Sequence, residues 1–489
     1  MAVHVESFLL NPASTDTLQE QIQRLVIDGI LQGRYQVGDR LPSSRGLAEH
    51  LGVSRITVTL AYTELVANDY LVSRGRSGYF VSPRAPERRV VDVPVCEDRN
   101  EVAWDTILKK PHGIEMGPAR PSDWRGYRYN FIYGQTDAKL FDHRHWRLCA
   151  LKALGQRDFA DLAGDSYEQD DPRLIERICA DILPRRGIQA RPDQVLITLG
   201  AQHALWLSAR LLATPEKRVA LEAPGYPPLR AILDEIGCSY APVPVDADGL
   251  APETLPEGTD LAFTTVSHHC PTNATMPMER RRALLKAASE RDFIIVEDDY
   301  EFEITAGRAP LPALKALDPG GRVIHVGSFS KSLFPSLRLG FIVGPTPFME
   351  AARALRALEL RHPPGHIQRT AAYFMELGHY DAQLSRMSRA YGQRRAAMAQ
   401  AIAENGLELA QSDASGGSSF WMRAPEGVDT RQLAQALRER GVLIEPGSVF
   451  FGQKANENQH YRLGYSSIAA ADIPEGVAQI AREIGKRAA

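Results

Sequence analysis

Cysteine is scarce in this 489-residue chain: Cys96, Cys149, Cys179, Cys238 and Cys270 are scattered, odd in number and without a Cys-x-x-Cys pair. That pattern supports neither a disulfide framework nor a zinc or other metal site, and it fits a reducing cytosol. No stretch reaches the ~18 uncharged apolar residues expected of a membrane-spanning helix. The opening MAVHVESFLLNPAS lacks both the basic start and the long apolar core of an export signal. Excess charge is missing too: a net charge of −3 rules out a uniformly basic coat for nucleic acid and leaves only a local patch to look for. Internal repeats and low-complexity tracts are absent. A soluble cytoplasmic protein without membrane contact is the expectation.

What is present is ordinary globular composition, 44% hydrophobic and 24% charged, in a chain too long for one core. The apolar residues Ile22, Leu25, Val26, Ile27, Ile30 and Leu31 recur at helical spacing and end at Gly33. Ser43 and Ser44 precede a short second helix closed by Gly52, and Ser54 opens a third that runs from Arg55 to about Asn68. YLVSRGRSGYFV, from Tyr70 to Val81, then alternates into a strand, turns and returns. Helix, turn, helix and hairpin make a winged helix over residues 1–82. Residues 83–121 are Pro-rich and charged and read as a linker, with one short element around Trp104 to Leu108.

From 122 to 489 helical patterns alternate with short apolar strands at Gln194–Leu199, Arg218–Glu222, Asp260–Val266, Phe293–Glu297 and Arg322–Val326. Such alternation predicts a large α/β domain, its mostly parallel sheet covered by helices on both faces. Beyond about Pro363, long helices followed by strands at Ser419–Met422 and Tyr461–Tyr465 predict a small C-terminal α+β subdomain.

Basic groups in the first domain fall where a duplex would lie. Arg45 is on the second helix, Arg55 opens the third with Thr57 and Thr59 beside it, and Arg74 and Arg76 occupy the wing tip, brought forward by a turn that uses Gly75 and Gly78. The first turn of a recognition helix reaches base edges, and other cations fix register on phosphates.

In the second domain the informative run is RVIHVGSFSKSLFPSLRLGFIVGP. An apolar strand ending at Gly327 delivers Ser328, Ser330 and Lys331 into a polar turn, with Arg338 seven residues beyond the lysine. These supply an amine able to form an imine, with hydroxyl and guanidinium donors for a phosphate dianion. IIVEDDYEFE sets Asp298 and Tyr300 at a strand's C-terminal end, where a carboxylate could keep a pyridine nitrogen protonated and a phenol could bond the ring's 3' oxygen. Glu297, Asp298 and Asp299 could equally form a solvated acidic turn. Gly200, Ala201 and Gln202 open a helix after a strand, a phosphate cradle of backbone amides. Tyr226 in EAPGY could stack on a cofactor ring or simply pack, and Arg462 inside an apolar strand calls for an anion, such as a ligand carboxylate.

The run from LPSSRGLAEHLG to SGYFV resembles the winged helix of the GntR family over about residues 16–82. GAQ, EAPGY, EDDYEFE, SFSKSLFPSLRLG and YRLGYS resemble, in order and spacing, the fold-type I aminotransferases. Together, over about residues 16–485, the chain resembles the MocR/GabR-type regulators. The resemblance implies pyridoxal 5'-phosphate (PLP) as cofactor, with Lys331 forming the internal aldimine, Asp298 on the pyridine nitrogen and Tyr300 on the 3' oxygen. It places the phosphate on Ser328, Ser330, Arg338 and the Gly200 turn, and the carboxylate of a small amine or amino-acid effector on Arg462. It also implies operator DNA as partner and a head-to-tail homodimer.

Three departures stand out. Where aminotransferases generally carry Asn-Pro-Thr-Gly, SHHCPTNATMP has Cys270 before Pro271-Thr272, and Asn273 in place of the glycine. YEQDDPRLIER lacks a usual glycine, and Asp142 replaces a common proline. The Cys270 substitution favours a sensor over an enzyme; the alternatives are an active aminotransferase bearing a DNA-binding domain and a scaffold without effector chemistry. The HHCPTNATMP and HPPGHIQRT segments resemble those of regulators of ectoine or taurine use.

Overall fold

The computed structural model describes residues 2–86, 102–108, 117, 120–304, 311–411, 416–452 and 457–488. Most of the linker expected over 83–121 therefore lies outside the described residues, as does Cys96. The chain divides into two compact units, Met1–Leu108 and Lys109–Ala489.

In the first unit, α1 spans Leu18–Leu31 and begins with a capping box: the Thr17 hydroxyl accepts from the Glu20 amide at 3.3 Å and Glu20 accepts from the Thr17 amide at 2.8 Å. Ser43 caps α2, Ser44–Leu51, which stops at Gly52 with φ +66°, a conformation glycine adopts without strain. Ser54 caps α3, Arg55–Ala67. Strands β1, Leu71–Ser73, and β2, Tyr79–Val81, pair antiparallel with Leu71 opposite Val81. Ile22, Val26 and Ile30 of α1 pack on Leu47 of α2, Val58, Tyr62 and Leu65 of α3, and the strand residues Leu71 and Val81. Each fully buried aliphatic side chain of this kind contributes roughly 1.5–3 kcal/mol.

The second unit is built on an eight-stranded sheet. Its strands are β3 Val195–Thr198, β4 Val219–Ala223, β5 Tyr240–Asp246, β6 Gly249–Leu250, β7 Leu261–Thr264, β8 Ile294–Asp299, β9 Val323–Ser328 and β10 Gly340–Val343, in the order β3-β10-β9-β8-β7-β4-β5-β6. Neighbours from β9 through β5 run parallel, whereas β10 is antiparallel to both β9 and β3. Alternate residues enter different cores: Val219 and Leu221 join Leu261, Phe263, Val296 and Ile324 on one face, and Ala220 joins Ala262, Ile295 and Val323 on the other. Both faces are helix-covered, the first by α4, Ala201–Leu212, and the second by Met278–Glu290 through Leu284 and Ala288.

The C-terminal part carries a four-stranded sheet of Glu408–Leu409, Ser419–Arg423, His460–Gly464 and Glu445–Pro446, packed with the long helix His379–Glu404 and the final helix Ile473–Ala488. A parallel pairing of Tyr129–Asn130 with Val442–Leu443 ties the start of the unit to this subdomain. Among the described residues no helix is long and apolar enough to cross a membrane.

Candidate functional site

The winged-helix unit exposes Arg45, Arg55, Arg74 and Arg76 to solvent. Arg55 stands at the first position of α3, and its Nε reaches the Ser44 hydroxyl at 3.4 Å. The two threonines are less free than the sequence implies. The Thr57 hydroxyl lies 2.8 Å from the capping Ser54 hydroxyl, and the Thr59 hydroxyl donates to the Arg55 carbonyl at 2.9 Å, so both already have local partners. Gly78, with φ +102° and ψ −155°, forms the turn at the wing tip, and a Cβ there would stand 3.7 Å from the Arg40 guanidinium. Arg74 stacks over the Phe80 ring at 4.8 Å, which fixes one of the wing-tip cations. Sequence reading missed Ile56, 72% exposed beside Arg55, because an apolar residue in an amphipathic helix is normally assigned to the core.

In the second unit a cavity of about 230 Å³ is lined by Ala201, Gln202, Tyr226, Asp298, Tyr300, Ser328, Ser330, Lys331 and Arg338, drawn from segments spread over the sheet. It also takes Arg120, Tyr133, Gly134, Gln135, Cys270 and Pro335. A larger groove of about 610 Å³ lies around Pro172, Ile175, Cys179 and Arg353, and none of the sequence-derived site residues lines it.

Parallel pairing of β8 with β9 sets Asp298 beside Val326 and Asp299 beside Gly327, so both strands end at one edge of the sheet. The acidic run is not a solvated turn. Strand alternation sends Glu297 onto the amides of Leu314 and Lys315 and onto His325, and Asp299 onto Arg186 at 2.6 Å, all buried. Asp298 points the other way, into the cavity. Its Oδ1 is buried and has no hydrogen-bond partner among the described residues. Burial, reinforced by the neighbouring Asp299, Glu222 and Glu297, pushes its carboxyl up to about 8.

Lys331 follows β9, whose last residue is Ser328 rather than Gly327, so the first serine belongs to the strand. The lysine Nζ lies 4.5 Å from the Tyr133 ring centroid and 3.5 Å from the Gly134 carbonyl. Burial lowers its ammonium to about 8, against an opposing pull from Glu301. Gly134 takes φ +78°, a conformation that favours glycine, and lies close to the lysine, a Cβ there standing 2.5 Å from Nζ. The Tyr300 hydroxyl donates to the His268 carbonyl at 3.0 Å while its ring lines the cavity. Tyr226 precedes the helix Pro227–Ile236 and packs with Cys270 and Phe450.

One wall gathers groups able to donate to an anion. Gly200, at φ +83° and ψ +176°, caps α4 and directs its first amides outward. The Arg338 guanidinium lies across it, 3.2–3.4 Å from where a Cβ would be, and donates to the Leu199 carbonyl at 2.8 Å. The Ser328 hydroxyl accepts from the Ser330 amide at 3.2 Å.

Arg462 differs from expectation. The anion that makes its burial tolerable is Glu445, whose Oε2 accepts from Nε at 2.9 Å, so no ligand is needed to offset the charge. Burial opposes ionisation of the guanidinium, but Glu445 together with Cys270, Tyr133 and Tyr300 more than offsets it and holds the group charged. The side chain lies between the rings of Tyr133 at 4.0 Å and Phe450 at 4.7 Å, with Nη1 3.9 Å from Cys270 Sγ. Burial pushes the Cys270 thiol up to about 11 and keeps it neutral. Asn273, in the place of the expected glycine, takes φ +61° and donates to the Ser419 hydroxyl at 3.0 Å, so the exchange is accommodated locally. Arg120, which the sequence assigns to the linker, reaches Glu445 Oε1 at 3.2 Å across 325 residues.

Residues 18–81 match the bacterial regulatory proteins of the gntR family. Over 484 residues the chain is 56% identical to the HTH-type transcriptional regulator TauR of Rhodobacter capsulatus, covering 99% of this chain and 100% of that protein. It is 33% identical over 456 residues to the probable rhizopine catabolism regulatory protein MocR of Rhizobium meliloti, covering 92% and 90% of the two chains. The second unit superposes on LysN, the α-aminoadipate aminotransferase of Thermus thermophilus solved with N-(5'-phosphopyridoxyl)-L-leucine, at a TM-score of 0.69 and 26% identity, covering 79% of this chain and 99% of that one. The chain therefore belongs to the MocR/GabR-type transcriptional regulators, which join a GntR-family helix-turn-helix domain to an aminotransferase-like domain.

Proposed function

We propose that this protein is a PLP-dependent regulator that binds operator DNA as a homodimer and changes its grip when a small amine or amino acid enters the Lys331 cavity. The observation that carries the reading is the buried, unpartnered Asp298 Oδ1 in the same cavity as the Lys331 amine. A carboxyl forced to remain protonated by its surroundings becomes a stable anion once a cationic pyridine nitrogen faces it. The donor set fits the rest of the group. Ser328, Ser330, Arg338 and the amides after Gly200 suit its phosphate, Tyr300 its 3' oxygen, and Tyr226 its ring face. Bound there, the group supplies an electrophilic carbon that condenses with amines.

The chain's own part is to hold and exchange. Burial leaves a substantial neutral fraction of Lys331 near pH 8, and the neutral amine is the nucleophile. Arg462 and Arg120, which share the single Glu445 carboxylate beside the cavity, together offer net positive charge for an effector's acid group. On the DNA side, Arg55 at the start of α3 suits base readout, and Arg45, Arg74 and Arg76 suit phosphates. An effector can switch binding only if it favours one arrangement of the dimer over another. A second reading, a catalytically competent aminotransferase, draws on the same Lys331, Asp298 and Tyr300. Cys270 beside Arg462 weighs against it, and turnover of an amino donor with a keto acid separates the two.

The test is DNA-binding anisotropy of the full-length cofactor-loaded protein on its own promoter, with 3-aminopropanoate and 2-aminoethanesulfonate as probe amines. Lys331→Ala is expected to bind the DNA and ignore the amines. An undiminished amine response in that variant would sink the reading.

A further inference from the structure

Glu445 is 1% exposed and shared by two guanidinium groups: its Oε2 takes Arg462 Nε at 2.9 Å, and its Oε1 takes Arg120 Nε at 3.3 Å and Nη2 at 3.2 Å. Two cations on one carboxylate leave one positive charge uncompensated at the edge of the cavity. The remaining acidic groups nearby do not cancel it. Burial raises the Glu301 carboxyl, which is occupied by the Tyr133 and Ser418 hydroxyls at 2.9 and 2.6 Å, and the Cys270 thiol is neutral.

The two arginines are not equivalent. Arg462 is locked between Tyr133 and Phe450 with 4% of its side chain exposed, whereas Arg120 is 34% exposed, lines the cavity, and holds the Tyr133 carbonyl through Nη2 at 2.9 Å. The Arg120–Glu445 bonds, at 3.2 and 3.3 Å, are longer than the 2.9 Å Arg462 contact, and among the described residues Arg120 Nη1 has no acceptor. Arg120 is thus the guanidinium that can turn to a second anion, with Glu445 standing in for that anion when the cavity holds none.

Resting on the reading of the cavity as an effector site, we propose that Arg120 is its specificity-determining residue: it selects amines that carry an acid group, carboxylate or sulfonate, over amines that do not. The acid group takes the uncompensated charge, with Arg120 exchanging Glu445 for it and Arg462 keeping Glu445 in place. A charge-assisted bond of this kind changes affinity by about tenfold or more.

The experiment titrates the full-length cofactor-loaded protein with 3-aminopropanoate, 2-aminoethanesulfonate and propylamine, following the cofactor's absorbance, for wild type, Arg120→Gln and Arg120→Lys. Wild type is expected to bind the two acid-bearing amines at least about tenfold more tightly than propylamine. Arg120→Gln should lose most of that preference while binding propylamine as wild type does, and Arg120→Lys should restore part of it. An Arg120→Gln variant that keeps the cofactor band and the full preference overturns the proposal, as does one that loses all three amines equally. If wild type responds to no amine at all, the effector-site reading itself fails, an outcome distinct from a wild type that responds to all three alike, which overturns only the role of Arg120.

Discussion

Arg462 Nε donates to the Glu445 carboxylate at 2.9 Å, with the two side chains only 4% and 1% exposed. Each group makes the burial of the other tolerable, and the pair anchors the strand His460–Gly464 to Glu445–Pro446 across the register that sets the two residues opposite each other. Removing one partner strands a charge in a low-dielectric interior. Glu445→Ala is therefore expected to lower stability by about 3–5 kcal/mol, read as a shift of the denaturant midpoint. A loss below about 1 kcal/mol, the level of a surface pair, would mean that water reaches Arg462 freely.

Asp298 gives the cofactor-free protein a distinctive pH dependence. Its folded pKa of about 8 lies far above the ~3.9 of an ordinary aspartate. From about pH 4 to 8 the folded state thus keeps a proton that the unfolded chain releases, and stability falls as pH rises through that window. Lys331 acts in the opposite sense and in another range. Its ammonium, lowered to about 8 from the usual ~10.4, makes stability rise with pH only above about 8. Glu303, raised to about 7, and His268, lowered to about 4, titrate in the same window as the aspartate. The aspartate's share of the Tm difference between about pH 5 and pH 7.5 is therefore read by comparison with Asp298→Asn, which should reduce that difference. An unchanged difference would place the titrating group elsewhere.

Gly200 holds φ +83° and ψ +176°, a conformation closed to residues with a Cβ, and its backbone faces Arg338. Gly200→Ala should cost about 1–3 kcal/mol and also weaken cofactor binding, because the first amides of α4 and the Arg338 guanidinium shift together. Equilibrium dialysis against PLP checks the second effect, which general destabilisation alone would not produce in a folded variant.

For the DNA-binding unit, Arg55→Ala and Arg76→Ala should separate two kinds of contact. Loss of a phosphate contact at Arg76 lowers affinity about equally for promoter and unrelated DNA and reduces the salt slope by about 1. Loss of a base contact at Arg55 costs about 1–3 kcal/mol on the promoter and narrows its advantage over unrelated DNA. Salt-dependent anisotropy titrations measure both, and identical profiles for the two variants would contradict the assignment.

Local signals carried the winged helix. Ser43, Gly52 and Ser54 mark helix ends that the structure places within a residue or two, because caps and stops depend on neighbouring backbone alone. Five strands of the large sheet, Val195–Thr198, Val219–Ala223, Leu261–Thr264, Ile294–Asp299 and Val323–Ser328, were likewise legible, since strands buried on both faces read as apolar runs. Three strands of that sheet were not, the two-residue Gly249–Leu250 among them. Tyr240–Asp246 carries Pro242 and Pro244, which normally argue against a strand, yet it pairs parallel with Val219–Ala223 near the sheet's edge. Gly340–Val343 runs antiparallel inside a mostly parallel sheet, an insertion that βα alternation does not encode. In the cavity, motif residues such as Lys331 and Asp298 announce themselves by strand-end position. Arg120 and Glu445 do not, because their pairing joins segments 325 residues apart and neither sits in a local pattern.

The attachment point of the cofactor is tested most directly by reducing the PLP-loaded protein with borohydride and mapping the modified peptide by mass spectrometry. A pyridoxyl mark on Lys331, lost in Lys331→Ala without transfer to another lysine, is the expected result. A mark on a different residue, or none in a protein that has taken up the cofactor, would contradict Lys331 as the centre of the site.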